Sequence, residues 1–488
     1  MLSNYIILAV YFSVLFLLGK LASGKINNIK DYFIGGSKLG YWVVAFSSRA
    51  TGASAWVLLG LTGMGAIYGI SAYWVAVGTT LGVVISWFFM APKFKRMATA
   101  YGSITIPDFL VSRFKSSGNL LRGLSATVLS VFVVIYVSSQ IDATGTAFET
   151  FLEWDYFTGA IVGFLIVVIY TFSGGFVAVA WSDVFQGGIM LTGLVLLPVI
   201  AFIGLGSDIS ISGALQSIDP ALTNVWGRGG FNLENFTKIT GFIMIGLGYL
   251  GAPQLFVRFL SIKDEAEIEK GRWVAVILQF LMNISAVSIG ILGRIILTTI
   301  ADEVTTVLGN GGQEVLIKLT EYTMPFFLGV YIAAVLAAIM STVDSLLVLA
   351  SSAVTRDFYQ KIFHPELEDG KLVKRSKIVT LILAAIALSV AIIVAVLVPG
   401  RTIFWFVIFG WSGLAASFCP VIILSLFWKN FNERGAIATI ITGFLCVPFF
   451  KFYVSSLPTI GGYFSNIAEL FPSFLLAMLA GLLFNKKG

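Results

Sequence analysis

The sequence predicts an all-α integral membrane protein of thirteen transmembrane helices, and three observations carry that reading. Hydrophobic residues make up 58% of the 488 and charged residues only 11%, whereas soluble proteins are about 45–50% apolar and about 25% charged. The apolar residues come in long runs, such as 160–170, 189–205 and 381–398. A helix needs about 20 of them to cross roughly 30 Å of hydrocarbon. None of these runs alternates polar and apolar residues over about ten positions, as a barrel strand must. Helices and closed barrels are the only structures that satisfy their backbone groups in lipid, so the choice falls on helices.

The spans lie near 4–23, 41–67, 71–92, 119–148, 157–180, 183–206, 237–260, 273–300, 322–356, 377–398, 403–428, 434–453 and 465–485. Only Met1 to Ser3 precede the first, with no small-residue cleavage site, so it reads as a retained helix rather than a signal peptide. Alternate loops are basic. They carry Lys20, Lys25, Lys30 and Lys38, then Lys93, Lys95, Arg96, Arg113 and Lys115. The same set continues with Lys263, Lys270, Arg272, Arg356, Lys361, Lys371, Lys374, Arg375, Lys429, Arg434, Lys486 and Lys487. The opposite loops hold Glu149, Glu153, Asp155, Asp208, Asp219, Asp302, Glu303 and Glu314. The positive-inside rule then places the N-terminus outside and the C-terminus in the cytoplasm, which requires an odd number of spans.

Several function classes are disfavoured. Cys419 and Cys446 sit inside apolar runs and indicate no disulfide framework. His364, the single histidine, falls in a charged loop, and no ligand spacing of a metal enzyme occurs. The net charge of +6 resides in the cytoplasmic loops and argues against a nucleic-acid partner. No nucleophile–base pair appears in the spans, so an enzyme is not expected.

Two spans are poor helices. The second reads Ser47-Ser48-Arg49-Ala50-Thr51-Gly52-Ala53-Ser54-Ala55-Trp56 at its centre; the seventh reads Gly246-Leu247-Gly248-Tyr249-Leu250-Gly251-Ala252-Pro253-Gln254. Glycine costs a helix interior about 1 kcal/mol and proline about 3. Two breaks five spans apart match an inverted repeat of broken helices, whose freed carbonyls bind a coupling cation. Small residues also serve close helix packing.

Charges inside spans are costly and mark ion or substrate pathways. Arg49, Asp142, Asp183, Arg294 and Asp344 stand out. Arg258, and Arg294 in the same way, lie near enough to a span end to reach the surface. Asp183 fits either a helix N-cap or an ion ligand. Arg49 and Asp344 belong near mid-membrane, where they either pair with one another or serve transport. In the stretch 338–345, Ser341, Thr342 and Ser345 share a helical face one turn beyond Ala338. Hydroxyl and carbonyl oxygens there suit an alkali cation, or serve as interhelical hydrogen bonders.

These residues also carry a resemblance. Asp31 to Gly40, Thr105-Ile106-Pro107-Asp108-Phe109 with Arg113-Phe114, Gly174 to Asp183 with Gln186, Gly248-Tyr249 with Gly251 and Pro253, and Ala338 to Thr342 occur in one order. In that order the chain resembles the sodium:solute symporter family over nearly its whole length. The resemblance implies a LeuT-type inverted-repeat core: an extra N-terminal helix and loop at 1–40, five-helix repeats at 41–206 and 237–428, and two C-terminal helices at 429–488. It implies a sodium site on Ala50, Ala53, Ala338, Ser341 and Thr342, and, as in some relatives, a second near Asp183, Asp344 and Ser345. Substrate would meet Tyr136 and Tyr249 near Pro253, with Trp56 and Gly60 lining the cavity.

The family's proline carriers have an aspartate where this chain has Gly52, a glycine where it has Arg49 and a tryptophan where it has Ile245. The lost carboxylate and added guanidinium are offset by Asp344, or imply weaker sodium binding, coupling to protons, or a bidentate grip by Arg49 on a substrate carboxylate. The expected activity is sodium-coupled symport of a small organic solute, proline or a related amino acid. The alternatives are a sugar, a sialic acid, a monocarboxylate or a vitamin, or coupling to protons.

Overall fold

The computed structural model describes residues 2–485 except 25, 27, 207 and 208, together with all side chains in that range but those of 23 and 170–174. Of the loop charges named above, Lys25, Asp208, Lys486 and Lys487 lie outside the described residues. Every regular element among the described residues is a helix, and a single parallel bridge joins Leu39 to Ile262. Ten helices are long and apolar enough to cross a membrane, eleven if the bent pair Gly461–Ile467 and Leu470–Leu483 is one span.

The elements that place the site are few. The first broken helix runs as Tyr41–Ala55, continues through a wider π-turn at Trp56–Leu61, and ends as Thr62–Tyr68. The second begins at Leu233, where the Asn232 side chain caps it by accepting from the amide of Asn235. It tightens into a 3-10 turn over Ile245–Leu250 and resumes as Pro253–Ser261, with proline in the first helical turn where its missing N–H is harmless. Both pack beside the long Leu328–Ser352 helix, whose residues from Tyr331 to Ser352 are all buried.

The helix Tyr156–Leu205 is bent where Gly175 takes φ 55° and ψ −163°. A Cβ there would lie 2.7 Å from the Tyr32 ring, so both the backbone and the space demand glycine. The break at Gly175 corrects the boundary expected between 180 and 183. It puts Asp183 about two turns inside the second half of the helix, so the N-cap reading of that carboxylate does not hold.

Candidate functional site

The first broken helix breaks at Ser54, which adopts φ 47° and ψ −171°. That region is essentially reserved for glycine, and holding serine in it costs about 1–3 kcal/mol. Three neighbours answer the disrupted ladder. The Gln140 side chain accepts from the Ala55 amide at 3.1 Å. The Trp56 indole donates to the Gly52 carbonyl at 2.9 Å, and the Trp56 amide turns back to the Ala53 carbonyl. Tyr136 reaches the Ser54 hydroxyl at 3.5 Å. The break is thus wired into the 120–152 helix.

Against it lies the hydroxyl face of 338–345. Thr342 donates to the Thr51 carbonyl at 3.1 Å and to the Ala338 carbonyl at 3.0 Å. Thr51 donates to the Ser341 carbonyl at 3.0 Å, and Ser341 to the Ala338 carbonyl at 3.2 Å. The geometry therefore brings Ala338, Ser341 and Thr342 onto the segment that holds Ala50 and Ala53, every one of them buried. Oxygen-only donors of this kind suit a hard cation.

The second broken helix supplies the other wall. Tyr249 faces Gly52, where an added Cβ would meet its ring at 3.5 Å. Its ring also lies 5.2 Å from that of Trp411, and the Trp411 indole donates to the Ile245 carbonyl at 3.2 Å. Gly248 permits this approach, since a Cβ there would sit 2.3 Å from the indole. Pro253 acts by starting the half-helix beyond the break. Trp56 meets Phe404 edge-on, and Gly60 sits where a Cβ would be 3.0 Å from the same ring. Trp56, Tyr136 and Tyr249 are 3%, 1% and 1% exposed, so this centre is closed to solvent.

Arg49 lies in the same wall. Its Nη1 donates to Gln279 at 2.7 Å, its Nε to Ser48 at 3.3 Å, and its guanidinium stands 5.1 Å from the Tyr249 ring. Gln279 in turn reaches the Tyr249 hydroxyl at 3.5 Å. Of the two alternatives for Arg49, pairing with Asp344 is not formed among the described residues. Asp142 is bound by Arg401 and by the Tyr156 hydroxyl at 2.5 Å. Among the described residues no carboxylate neutralises Arg49.

Arg258 also departs from expectation. Rather than reaching the surface it is 0% exposed, and Arg294 is buried too. Arg258 donates to Asp183 at 3.0 Å, to Ser345 at 2.6 Å, to Ser47 at 3.0 Å, to the Gln254 carbonyl at 2.5 Å, and to Thr51. Ser47 donates to Asp183 at 2.5 Å, and Ser345 reaches Asp344 at 3.3 Å. Asp183, Asp344 and Ser345 are therefore gathered in one knot, with Asp183 on the guanidinium directly and Asp344 joined to it through Ser345. Asp183 Oδ1 and Asp344 Oδ2 are buried there without hydrogen-bond partners among the described residues.

Sequence reading missed Gln140, Gln279, Trp411 and the inward turn of Arg258. Buried amides and an intramembrane arginine were the available signals, but the partners of Gln140, Gln279 and Arg258 include residues 85, 230 and 75 positions away in the chain.

Residues 32–443 match the model of the sodium:solute symporter family. The chain belongs to that family. The symporter is 33% identical over 477 residues to the osmoregulated proline transporter OpuE of Bacillus subtilis (strain 168), covering 98% of this chain and 93% of that one. It is 36% identical over 435 residues to the high-affinity proline transporter PutP of the same strain, with 88% of each covered. A sodium/proline symporter of Staphylococcus aureus is 32% identical over 491 residues, covering 99% and 92%. A solved Na+-coupled sialic acid symporter, in a substrate-bound outward-open state, shares the fold at TM-score 0.77 and 20% identity over 99% of this chain and 98% of its own.

Proposed function

We propose that this symporter imports proline, or a closely related amino acid, together with sodium. The observation that carries the substrate class is Arg49. A buried guanidinium without a carboxylate leaves a charge that an anionic ligand completes, and Gln279 and Tyr249 hold its plane steady. A substrate carboxylate would meet Arg49, and the apolar body would pack among Trp56, Tyr136 and Tyr249, with Gly52, Gly60, Ile245 and Pro253 shaping the space. The names of the proline-transporting relatives support the same cargo.

The coupling sodium would bind the carbonyls of Ala50, Ala53 and Ala338 and the hydroxyls of Ser341 and Thr342. Bridging both helices, it favours the conformation in which they are joined and so prepares the substrate wall. The knot of Asp183, Asp344 and Ser345 is a candidate for a second cation. Asp183 Oδ1 and Asp344 Oδ2, buried without hydrogen-bond donors among the described residues, offer it oxygen ligands. Transport by alternating access needs no covalent chemistry.

The reading includes thirteen spans with the N-terminus outside and the C-terminus cytoplasmic. The 61-residue helical stretch Tyr41–Tyr101 divides at the turn Gly69–Ala72, and 156–205 divides at Gly175. Those divisions and the bent pair near the C-terminus support the count. The two broken helices, opening the segments 41–206 and 237–428, support the pair of inverted repeats, with 1–40 before them and 429–488 after. The test is uptake of labelled proline into proteoliposomes under a sodium gradient. Sodium-dependent uptake supports the reading, and uptake unchanged by replacing sodium with choline overturns it.

A further inference from the structure

Away from the transport centre, a cavity of about 700 Å³ lies between the Leu372–Leu397 and Ile403–Phe427 helices and the turns near the C-terminus. Its wall is mainly apolar, built from Val390, Val394, Trp405, Phe409, Phe450 and Phe464. Val398 and Phe452, also in the wall, are 51% and 67% exposed, so the cavity communicates with the surroundings of the bundle. Both residues stand at the ends of the spans expected at 377–398 and 434–453, where the edge of the bilayer meets its headgroups.

Two charged side chains are set into this wall. Glu469 is 3% exposed, and its Oε1 has no hydrogen-bond partner among the described residues. Its Oε2 lies 3.8 Å from Lys451 Nζ, an ion pair too long to be a good hydrogen bond. Lys451 also stands 5.7 Å from the Trp405 ring. Arg401 lines the same cavity but is committed to Asp142. A buried carboxylate oxygen in an apolar wall needs a donor. The loosely held lysine, 32% exposed by its side chain, has capacity for an acceptor.

We propose that this groove holds one phospholipid whose headgroup carries a primary amine. The ammonium donates to Glu469 Oε1, the phosphate accepts from Lys451, and an acyl chain lies along the valine and phenylalanine wall. The complementarity selects among headgroups. Choline has the positive charge but no N–H to give. A glycerol headgroup has hydroxyl donors, but its lipid adds a net negative charge beside Glu469. Only the amine matches both the donor requirement and the charge balance.

Purified full-length protein is titrated with brominated phosphatidylethanolamine, phosphatidylcholine or phosphatidylglycerol, and the quenching of Trp405 is isolated by subtracting a Trp405→Phe variant. The expected result is half-maximal Trp405 quenching at about tenfold lower mole fraction for phosphatidylethanolamine, the scale of one hydrogen bond to a charged group. Glu469→Gln should erase that preference while sodium-driven uptake in native lipid persists. Equal quenching by the three lipids overturns the proposal, as does a preference for phosphatidylglycerol or a preference that survives Glu469→Gln. The three-lipid comparison on the unsubstituted protein decides the matter even where the variant fails to fold.

Discussion

Replacing Arg258 by glutamine should destabilise the protein more than replacing its partner Asp183 by asparagine. Arg258 donates to five acceptors: Asp183, Ser345, Ser47, Thr51 and the Gln254 carbonyl. Its removal leaves Asp183 and Asp344, both 0% exposed, with no guanidinium between them. Breaking a buried pair in this way costs about 3–5 kcal/mol, because the surviving charge is stranded. Asp183→Asn is milder, since the amide oxygen can still accept from Arg258 and Ser47, and Arg258 keeps its Ser47, Thr51, Ser345 and Gln254 acceptors. The double variant should recover part of the loss, giving an interaction energy near the upper end of about 0.5–3 kcal/mol. The assay is equilibrium unfolding in mixed micelles of the four proteins of the cycle. A reversed rank of the single variants, or costs that add within about 0.5 kcal/mol, would refute the view that this knot is held together by charge.

Three further outcomes are expected. Arg49→Gly should raise the KM for proline about tenfold or more, the scale of a lost charged hydrogen bond, while sodium dependence persists; uptake titrations with proline check it. Thr342→Ala removes a hydroxyl from the proposed sodium site, so the sodium concentration for half-maximal uptake should rise by about the same factor at saturating proline. Gly248→Ala puts a Cβ 2.3 Å from Trp411, which should cost about 1–3 kcal/mol of stability through overpacking; melting of the detergent-solubilised protein measures it.

The broken helices were legible because glycine, serine and proline at 47–56 and 246–254 advertise a chain that cannot stay helical. The hydroxyl face at 338–345 was legible from its spacing alone, and the helix packing does lay it on Thr51. What spacing could not convey was which side of a helix meets which neighbour. Arg258 stands near a span end in sequence, yet the tight turn at 245–250 and the Pro253 half-helix carry it inward to Asp183. Sequence position left open whether Arg49 pairs with Asp344 or serves transport, and only the packing shows that it faces Gln279 and Tyr249 instead. The span boundary before Asp183 failed for a local reason. The hydropathy carries no mark at Gly175, and only its positive φ, at a position where a side chain would clash with Tyr32, divides the helix there.

Labelled proline uptake by the purified protein in sealed proteoliposomes, with sodium outside and potassium inside, tests the central claim most directly. Accumulation above equilibrium that collapses when external sodium is replaced by choline is the result predicted. Equal uptake in sodium and choline, or no proline uptake while another solute accumulates with sodium, would contradict it.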